Sequence, residues 1–251
     1  MNACAVVVLA AGAGTRMRSS RHKVLHEAAG QPLLEHVLRA VDPLHARRVV
    51  VVIGHLGEQV RDAFRERAES GRLTFAEQRE LLGTGHALAQ AEGAVRTAFA
   101  AGEVGTVLVL NGDGPLVKPQ TLKRMLEAQG GVPGMSVLVA TVSDPAGLGR
   151  VVRAGGNEIA RIAEEKDATE DERAIREINA GAYAFDLDVF ERCRRLPSDN
   201  AQGEQYITGL VDLYLAEGLP VRAVPATVAE EALAVNDQQE LAIVDRALRA
   251  R

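Results

Sequence analysis

Short β-branched runs alternate with helix-patterned segments through the first half of the chain, and this alternation narrows the fold more than any other feature. CAVVVLA, RRVVVVIG, RLTFAEQ, GTVLVLNGD and GMSVLVATV are nearly continuous in apolarity. Strands buried on both faces of a parallel sheet have that appearance, whereas half-solvated strands alternate apolar and polar residues. Between them lie PLLEHVLRAV, GEQVRDAFRERAES, TGHALAQAEGAVRTAFA and PQTLKRMLEAQ. In the first of these, Leu33, Leu34, Val37, Leu38 and Val41 share one helix face, with Pro32 suited to the first turn. Repeated β-then-α units predict an α/β fold, a mostly parallel sheet flanked by helices.

The pattern changes near Gly147. GRVVRAGGNEIARIAEEKD predicts two strands around an Ala-Gly-Gly-Asn turn, and INAGAYAFD another strand. Together they predict a β-rich insertion over the edge of the sheet. EQYITGLVDLYLAEG reads as a helix ending at Gly218, PVRAVPA as a strand and DQQELAIVDRALRAR as a last helix.

At 251 residues the chain is long enough for one large domain or two small ones. It is 47% hydrophobic with no tryptophan and 3% aromatics, so the core must be aliphatic and alanine-rich. A net charge of −5 argues against general nucleic-acid binding. Two cysteines, Cys4 and Cys193, are too few for a zinc cluster and read as reduced thiols of a cytoplasmic protein. The first apolar run lacks a basic leader and meets a glycine turn, so it reads as a strand rather than a signal peptide. No segment is long enough to span a membrane.

VVVLAAGAGTRMRSSRHKVLH, Val6 to His26, joins that first strand to Arg16, Arg18, Arg21 and Lys23 with no acid between them. A dinucleotide fingerprint would need a glycine where Met17 stands, and an acid after the next strand. A P-loop would need Lys-Ser or Lys-Thr where Thr15-Arg16 stands. What remains is a backbone-lined turn at Gly12 and Gly14, followed by a cationic segment. Exposed peptide N–H groups and several cations suit a polyphosphate. The competing reading is an ordinary βα turn with a solvated basic face.

Ligands of open parallel sheets bind beyond the carboxyl ends of the strands. Asp113, at the end of VLVLNGD, lies there, too far ahead of the helix expected near Pro119 to cap it, and reads as a magnesium ligand. Gln78 could match the acceptor–donor edge of uracil or thymine, or be an ordinary loop amide. GLGR, Gly147 to Arg150, either admits a sugar against the backbone or simply turns the chain. Glu164 is a ligand or part of a charged face. Asn179, inside an apolar run, needs partners for its amide. Asn236 is well placed to cap the last helix.

The set LAAGAGTRM…KVLH, LGTGHA, NGDGPL, GLGR, EEKDAT, EINAG, NAQGEQYIT and VND, in order from about Val6 to Asn236, closely resembles the uridylyltransferase domain of the N-acetylglucosamine-1-phosphate uridylyltransferase family. The resemblance implies a Rossmann-like nucleotide-diphospho-sugar transferase fold. By position it places Leu9, Ala10, Ala11, Gly12 and Gly14 at the nucleotide, with Arg16 and Lys23 on its phosphates. Gln78, Gly83 and Thr84 would meet the uracil. Asn111, Gly112 and Asp113 would lie along the nucleotide. Gly149, Glu164 and Asn179 would hold sugar and ribose hydroxyls, and Asn236 would join Asp113 at Mg²⁺ beside the sugar phosphate. Three positions depart from the family pattern: His22 replaces a usual proline, Leu81 a frequent Gln or Pro, and Gly209 a common aspartate. The family's bifunctional members continue into a left-handed β-helix that acetylates glucosamine-1-phosphate and forms trimers. No hexapeptide repeats occur here, so the resemblance does not extend to acetyl transfer or trimerisation, and the oligomeric state is left open. Residues 1–236 are expected to form the transferase domain, and 237–251 a helix where a linker to the absent domain would start.

The reaction implied is UTP plus N-acetylglucosamine-1-phosphate giving UDP-N-acetylglucosamine and pyrophosphate, with small molecules as partners and neither nucleic acid nor membrane. A phosphomonoester has a second pKa near ~6, so its oxygen attacks the α-phosphorus in line without a general base. The alternatives are a nucleotidyltransferase of the same fold acting on another sugar-1-phosphate or on dTTP, and a non-catalytic sugar-nucleotide sensor.

Overall fold

The computed structural model describes residues 3–155 and 158–251. The first-half runs become β1 (Cys4–Ala10), β4 (Arg48–Ile53), β5 (Thr74–Glu77), β6 (Thr106–Asn111) and β7 (Met135–Thr141), with a small hairpin of β2 (Glu27–Ala28) and β3 (Gln31–Pro32) after the glycine loop. β8 (Arg150–Gly155) and β9 (Glu158–Ala163) pair antiparallel as the expected hairpin, and Gly156 and Asn157 of the turn expected from the sequence lie outside the described residues. β10 (Glu177–Asp186) and β11 (Val221–Pro225) complete the set.

Nine strands make one sheet in the order β5-β4-β1-β6-β10-β7-β11-β9-β8. β1 pairs in parallel with β4 and β6, β4 with β5, and β7 with β11. β10 runs antiparallel between β6 and β7. The β8–β9 hairpin sits at the edge as expected, but β10 is an interior strand rather than part of an insertion. Its apolar run looks like that of β6, because hydrophobic periodicity carries no information about strand direction.

The helices are α1 (Leu33–Val41), α2 (Gly57–Ala63), α3 (Arg65–Glu69), α4 (Thr84–Gln90), α5 (Glu92–Arg96), α6 (Pro119–Gln129), α7 (Glu170–Arg173), α8 (Val189–Cys193), α9 (Leu210–Ala216) and α10 (Gln238–Arg249). Two segments expected as single helices are broken. The first breaks at Phe64, whose φ of −116° leaves the helical region as its ring turns into the core. The second breaks at the fully buried Ala91. Pro32 stands one residue before α1 rather than inside its first turn.

Side chains alternate across β1 into two cores. Ala5 and Val7 pack with Leu88 of α4, Phe190 of α8 and Leu210 of α9. Val6 and Val8 pack with Leu34 and Val37 of α1 and Leu122 and Met125 of α6. Each fully buried Val, Leu, Phe or Met among these contributes roughly 1.5–3 kcal/mol relative to exposure. A third, smaller core joins Met17 to Leu33, Leu116, Val235 and Val244, and docks α10 against the glycine loop. Ala29 N donates to Asp245 Oδ1 at 2.8 Å across the same contact. Cys4 and Cys193 are buried free thiols, and no described helix is long and apolar enough to cross a membrane.

Candidate active site

The chain leaves β1 toward β4 on one side and later returns to β6 on the other. A crevice therefore opens beyond the carboxyl ends of β1 and β6. It holds a cleft of about 400 Å³ lined by Leu9, Ala10, Ala11, Gly12, Lys23, Gln78, Gly83, Thr84, Asn111 and Asp113, all expected from the sequence. At Gly12 a Cβ would meet nothing, so that glycine leaves the floor open. Gly14 has a different task. Its φ is +60°, and a Cβ would lie 2.8 Å from Lys23 Cβ, so only glycine lets the Lys23 stem pass. Gly112 ties β6 to β1 beneath the cleft through its N–H to Leu9 O at 2.9 Å.

Lys23 opens a tight turn, Lys23–Leu25, that is clamped from both sides. His22 Nδ1 accepts from Val24 N at 3.3 Å, and His22 N donates to Gln59 Oε1 at 2.8 Å. Lys23 Nζ donates to Asp113 Oδ2 and, at 3.3 Å, to Asn236 Oδ1. Asn236 is brought in by its neighbour, since Val235 N donates to Asp113 O at 2.9 Å. It is not the helix cap that its position suggested. Asp237 caps α10, its Oδ1 accepting from Gln239 N and Glu240 N, both at 2.9 Å.

This corner fits a magnesium ion. Asp113 Oδ1 is buried with no hydrogen-bond partner, and the Asp113 carboxylate and Asn236 amide oxygens already converge on one positive charge. Such hard oxygens suit Mg²⁺, which takes few protein ligands and fills its shell with phosphate and water oxygens. Among the described residues no group of three or more His, Cys, Asp or Glu side chains could hold a metal. The neighbouring cations are disposed differently. Arg16 and Arg18 are exposed, line no part of the cleft and have no ion pair among the described residues. Arg21 pairs with Glu27 at 3.1 Å, so the segment is free of acid in sequence but not in space.

On the opposite wall, Gln78 follows β5 and is 4% exposed. Its Nε2 donates to Gly83 O and contacts His86 Nδ1, both at 3.0 Å, while its Oε1 accepts nothing from the described residues. Gly83 has φ +109°, and a Cβ there would lie 2.6 Å from Gln205 O. Gly85 N donates to Gln205 O and Gln205 N to Leu82 O, both at 2.8 Å, and Ile207 N donates to Thr84 Oγ1 at 2.9 Å. LGTGHA and GEQYIT are thus two halves of one clasp. The clasp delivers Glu204 to the cleft, a residue that sequence reasoning missed although it lies inside a motif it had singled out. His22, Leu81 and Ala87 also line the cleft.

Gly149, Glu164 and Asn179 assemble beside the cleft rather than in its lining. Asn179 N donates to Gly149 O at 2.9 Å, a Cβ on Gly149 would lie 3.5 Å from Glu164 Oε2, and Thr208 Oγ1 donates to Glu164 Oε1 at 2.8 Å. The amide of Asn179 is occupied at the bulge of β10: Nδ2 donates to Tyr183 Oη at 2.6 Å and Oδ1 accepts from Gly181 N at 3.1 Å. Gly181 has no room for a Cβ because Asn111 lies against it, which joins this cluster to the cleft. The GLGR turn is fixed by Glu165, which accepts from Gly147 N at 2.9 Å and pairs with Arg150 at 2.7 Å. Gly209 makes room for Leu196, 3.1 Å from where its Cβ would stand.

Burial raises the Glu164 carboxyl above the usual range, opposed by the Thr208 hydroxyl. Burial, then the nearby Lys23 and His55 charges, lower His22 to about 4, so it is neutral at physiological pH.

A glycine-floored cleft at the switch point of the sheet, with an ammonium, a carboxylate and a carboxamide meeting at one end, defines a nucleotidyltransferase type of site. Residues 6–239 match the MobA-like NTP transferase domain, and the chain belongs to that family. It is 47% identical over 245 residues to the bifunctional protein GlmU of Thermus thermophilus, covering 98% of this chain and 52% of that protein. It is 45% identical over 242 residues to GlmU of Bordetella petrii, covering 96% of this chain and 51% of that one. The chain thus spans about half the length of the curated relatives it matches. A candidate glucose-1-phosphate thymidylyltransferase of Bacillus anthracis, solved with sucrose, superposes with a TM-score of 0.77 at 19% identity, covering 99% of this chain and 96% of the other. That likeness shows a shared fold.

Proposed function

We propose that the chain transfers the uridylyl group of UTP to N-acetylglucosamine-1-phosphate, giving UDP-N-acetylglucosamine and pyrophosphate in the cytoplasm. The observation that carries this reading is the meeting of Lys23, Asp113 and Asn236 at the end of the glycine-floored cleft. The sugar phosphate is already ionised near neutral pH, with a second pKa of about 6, and attacks without a general base. The site agrees, since the histidine in its lining, His22, is held near 4 by burial and so is a weak base, and its Nδ1 lone pair is engaged by Val24 N–H.

Lys23 would neutralise the phosphates as they approach, while Arg16 and Arg18 remain free to follow departing pyrophosphate. Asp113 and Asn236 would hold Mg²⁺, which would supply charge neutralisation to the triphosphate when bound. Gln78 would accept the ring N–H of uracil through Oε1. Glu164, with Gly149 giving close access, would accept a sugar hydroxyl. The transferase unit is taken as residues 1–236, with 237–251 as a helix docked on it.

Pyrophosphate release with Mg²⁺ tests this, using UTP, dTTP and CTP against N-acetylglucosamine-1-phosphate and glucose-1-phosphate. Preference for UTP and the N-acetylated sugar supports the reading. Preference for dTTP or another sugar reassigns the substrate. Binding of UDP-N-acetylglucosamine without turnover of any pair would make the chain a sensor.

A further inference from the structure

His86 stands between two side-chain amides with one hydrogen too many. Gln78 Nε2 lies 3.0 Å from His86 Nδ1, and Gln90 Nε2 lies 3.2 Å from His86 Nε2. Each amide nitrogen also has a carbonyl partner: Gly83 O at 3.0 Å for Gln78, and His86 O at 3.1 Å for Gln90. A neutral imidazole offers one lone pair and one N–H, so it cannot accept from both sides. One of the two amides must present oxygen to the ring. The nitrogen and oxygen of a carboxamide have the same shape, and the hydrogen-bond network decides between them.

Burial decides which amide turns. Gln78 is 4% exposed, and turning it would set its oxygen against the Gly83 carbonyl with no donor between them. Gln90 is half-buried at the end of α4. The carbonyl it would release, His86 O, stands four residues back in the same helix, where the backbone ladder already reaches it. Turning Gln90 also sets its oxygen toward a carbonyl, but at this half-exposed position the amide can swing aside and water can serve the groups it leaves, a relief the buried Gln78 lacks.

We infer that His86 is a positioning residue for base selection: it carries its proton on Nε2, gives it to the Gln90 oxygen, and through Nδ1 holds the Gln78 amide with its NH₂ inward and Oε1 toward the cleft. This rests on the reading of Gln78 as the residue that faces the base. With only an oxygen presented, the site takes a base carrying an N–H between two carbonyls, as uracil and thymine do. Cytosine offers a lone pair at that ring nitrogen, and two lone pairs repel.

Two measurements test the inference. In ¹⁵N NMR of the wild-type protein near neutral pH, with the signals assigned by their loss in His86→Ala, Nδ1 should be of the unprotonated type and Nε2 should carry the proton. A proton on Nδ1 overturns the inference, whatever the variants do. Then kcat/KM is measured with UTP and with CTP. Gln90→Glu, which can still accept from Nε2, should keep the wild-type UTP-to-CTP ratio within about twofold, whereas His86→Leu should lower it about tenfold, the worth of one hydrogen bond. A merely structural role for His86 would slow both nucleotides alike and leave the ratio unmoved. That result, or collapse of the ratio in Gln90→Glu, overturns the inference. A wild-type protein with no turnover of UTP, or no preference for it over CTP, would instead remove the underlying reading of the site.

Discussion

Lys23 reaches Asp113 because Gly14 lets its stem pass and because His22 and Gln59 hold the turn on which it stands. Lys23→Ala is expected to lower turnover roughly a hundredfold, the usual loss for one charge-stabilising group. Steady-state kinetics with a melting curve alongside would check it, and near-normal turnover would take Lys23 out of the mechanism. His22 makes a separate prediction about stability. An unfolded imidazole titrates near 6.5 and the folded one near 4. Between these values the unfolded chain binds more protons, so stability falls as pH drops from 6.5 toward 4, by roughly 3 kcal/mol in full. His22→Asn, which can still cap Val24 N but does not titrate, should flatten that part of the slope in urea unfolding at pH 7, 6 and 5. The glycine turn, Lys23 and Asp113 were legible from the residues themselves, because glycines, cations and a strand-end carboxylate each have a physical reason to be there, and Asn179 because an amide in an apolar run needs partners. Most other site positions came from the resemblance, and the partners of Asn179 and Thr84 were not legible. Their side chains answer to Tyr183, Gly181 and Ile207, partners that only the folded chain brings near.

Asn236 and Asp237 are adjacent, both are good caps, and one residue decides which serves α10. Asp237→Ala should cost about 1 kcal/mol of stability and leave turnover nearly intact. Asn236→Ala should do the reverse, abolishing most turnover and raising the Mg²⁺ requirement at nearly constant melting temperature. Equal effects of the two substitutions on both readouts would show that the cap and the ligand are not separate. The same limit governs the larger elements. Strands were legible because continuous β-branched runs have few alternatives. The breaks at Phe64 and Ala91 were not, since the helical spacing continues across both and only packing bends the chain there. The reversed direction of β10 was hidden for the reason already given. The clasp between Gly83 and Gln205 joins two motifs that the sequence shows only as separate strings.

The third core makes α10 part of the site's support, because Met17 in the glycine loop packs against Val235 and Val244. Met17→Ala should cost about 2–5 kcal/mol if the gap cannot collapse. It should also raise KM for the nucleotide, since the exposed Arg16 and Arg18 flank that anchor. Kinetics at a temperature where the variant remains folded would separate the two effects, and an unchanged KM would show that the loop holds its shape without the anchor. Asn236 meets Lys23 across 213 positions of chain. On the ribosome, Lys23 emerges early and waits through the synthesis of nearly every strand before Val235 can bind Asp113 and carry Asn236 into place. A growing chain can therefore shape its glycine turn long before it can complete the corner where the triphosphate would be held. On the proposed reading, competence would come late in translation, because a chain arrested short of Val235 would lack the Asn236 oxygen however well its first strands had paired.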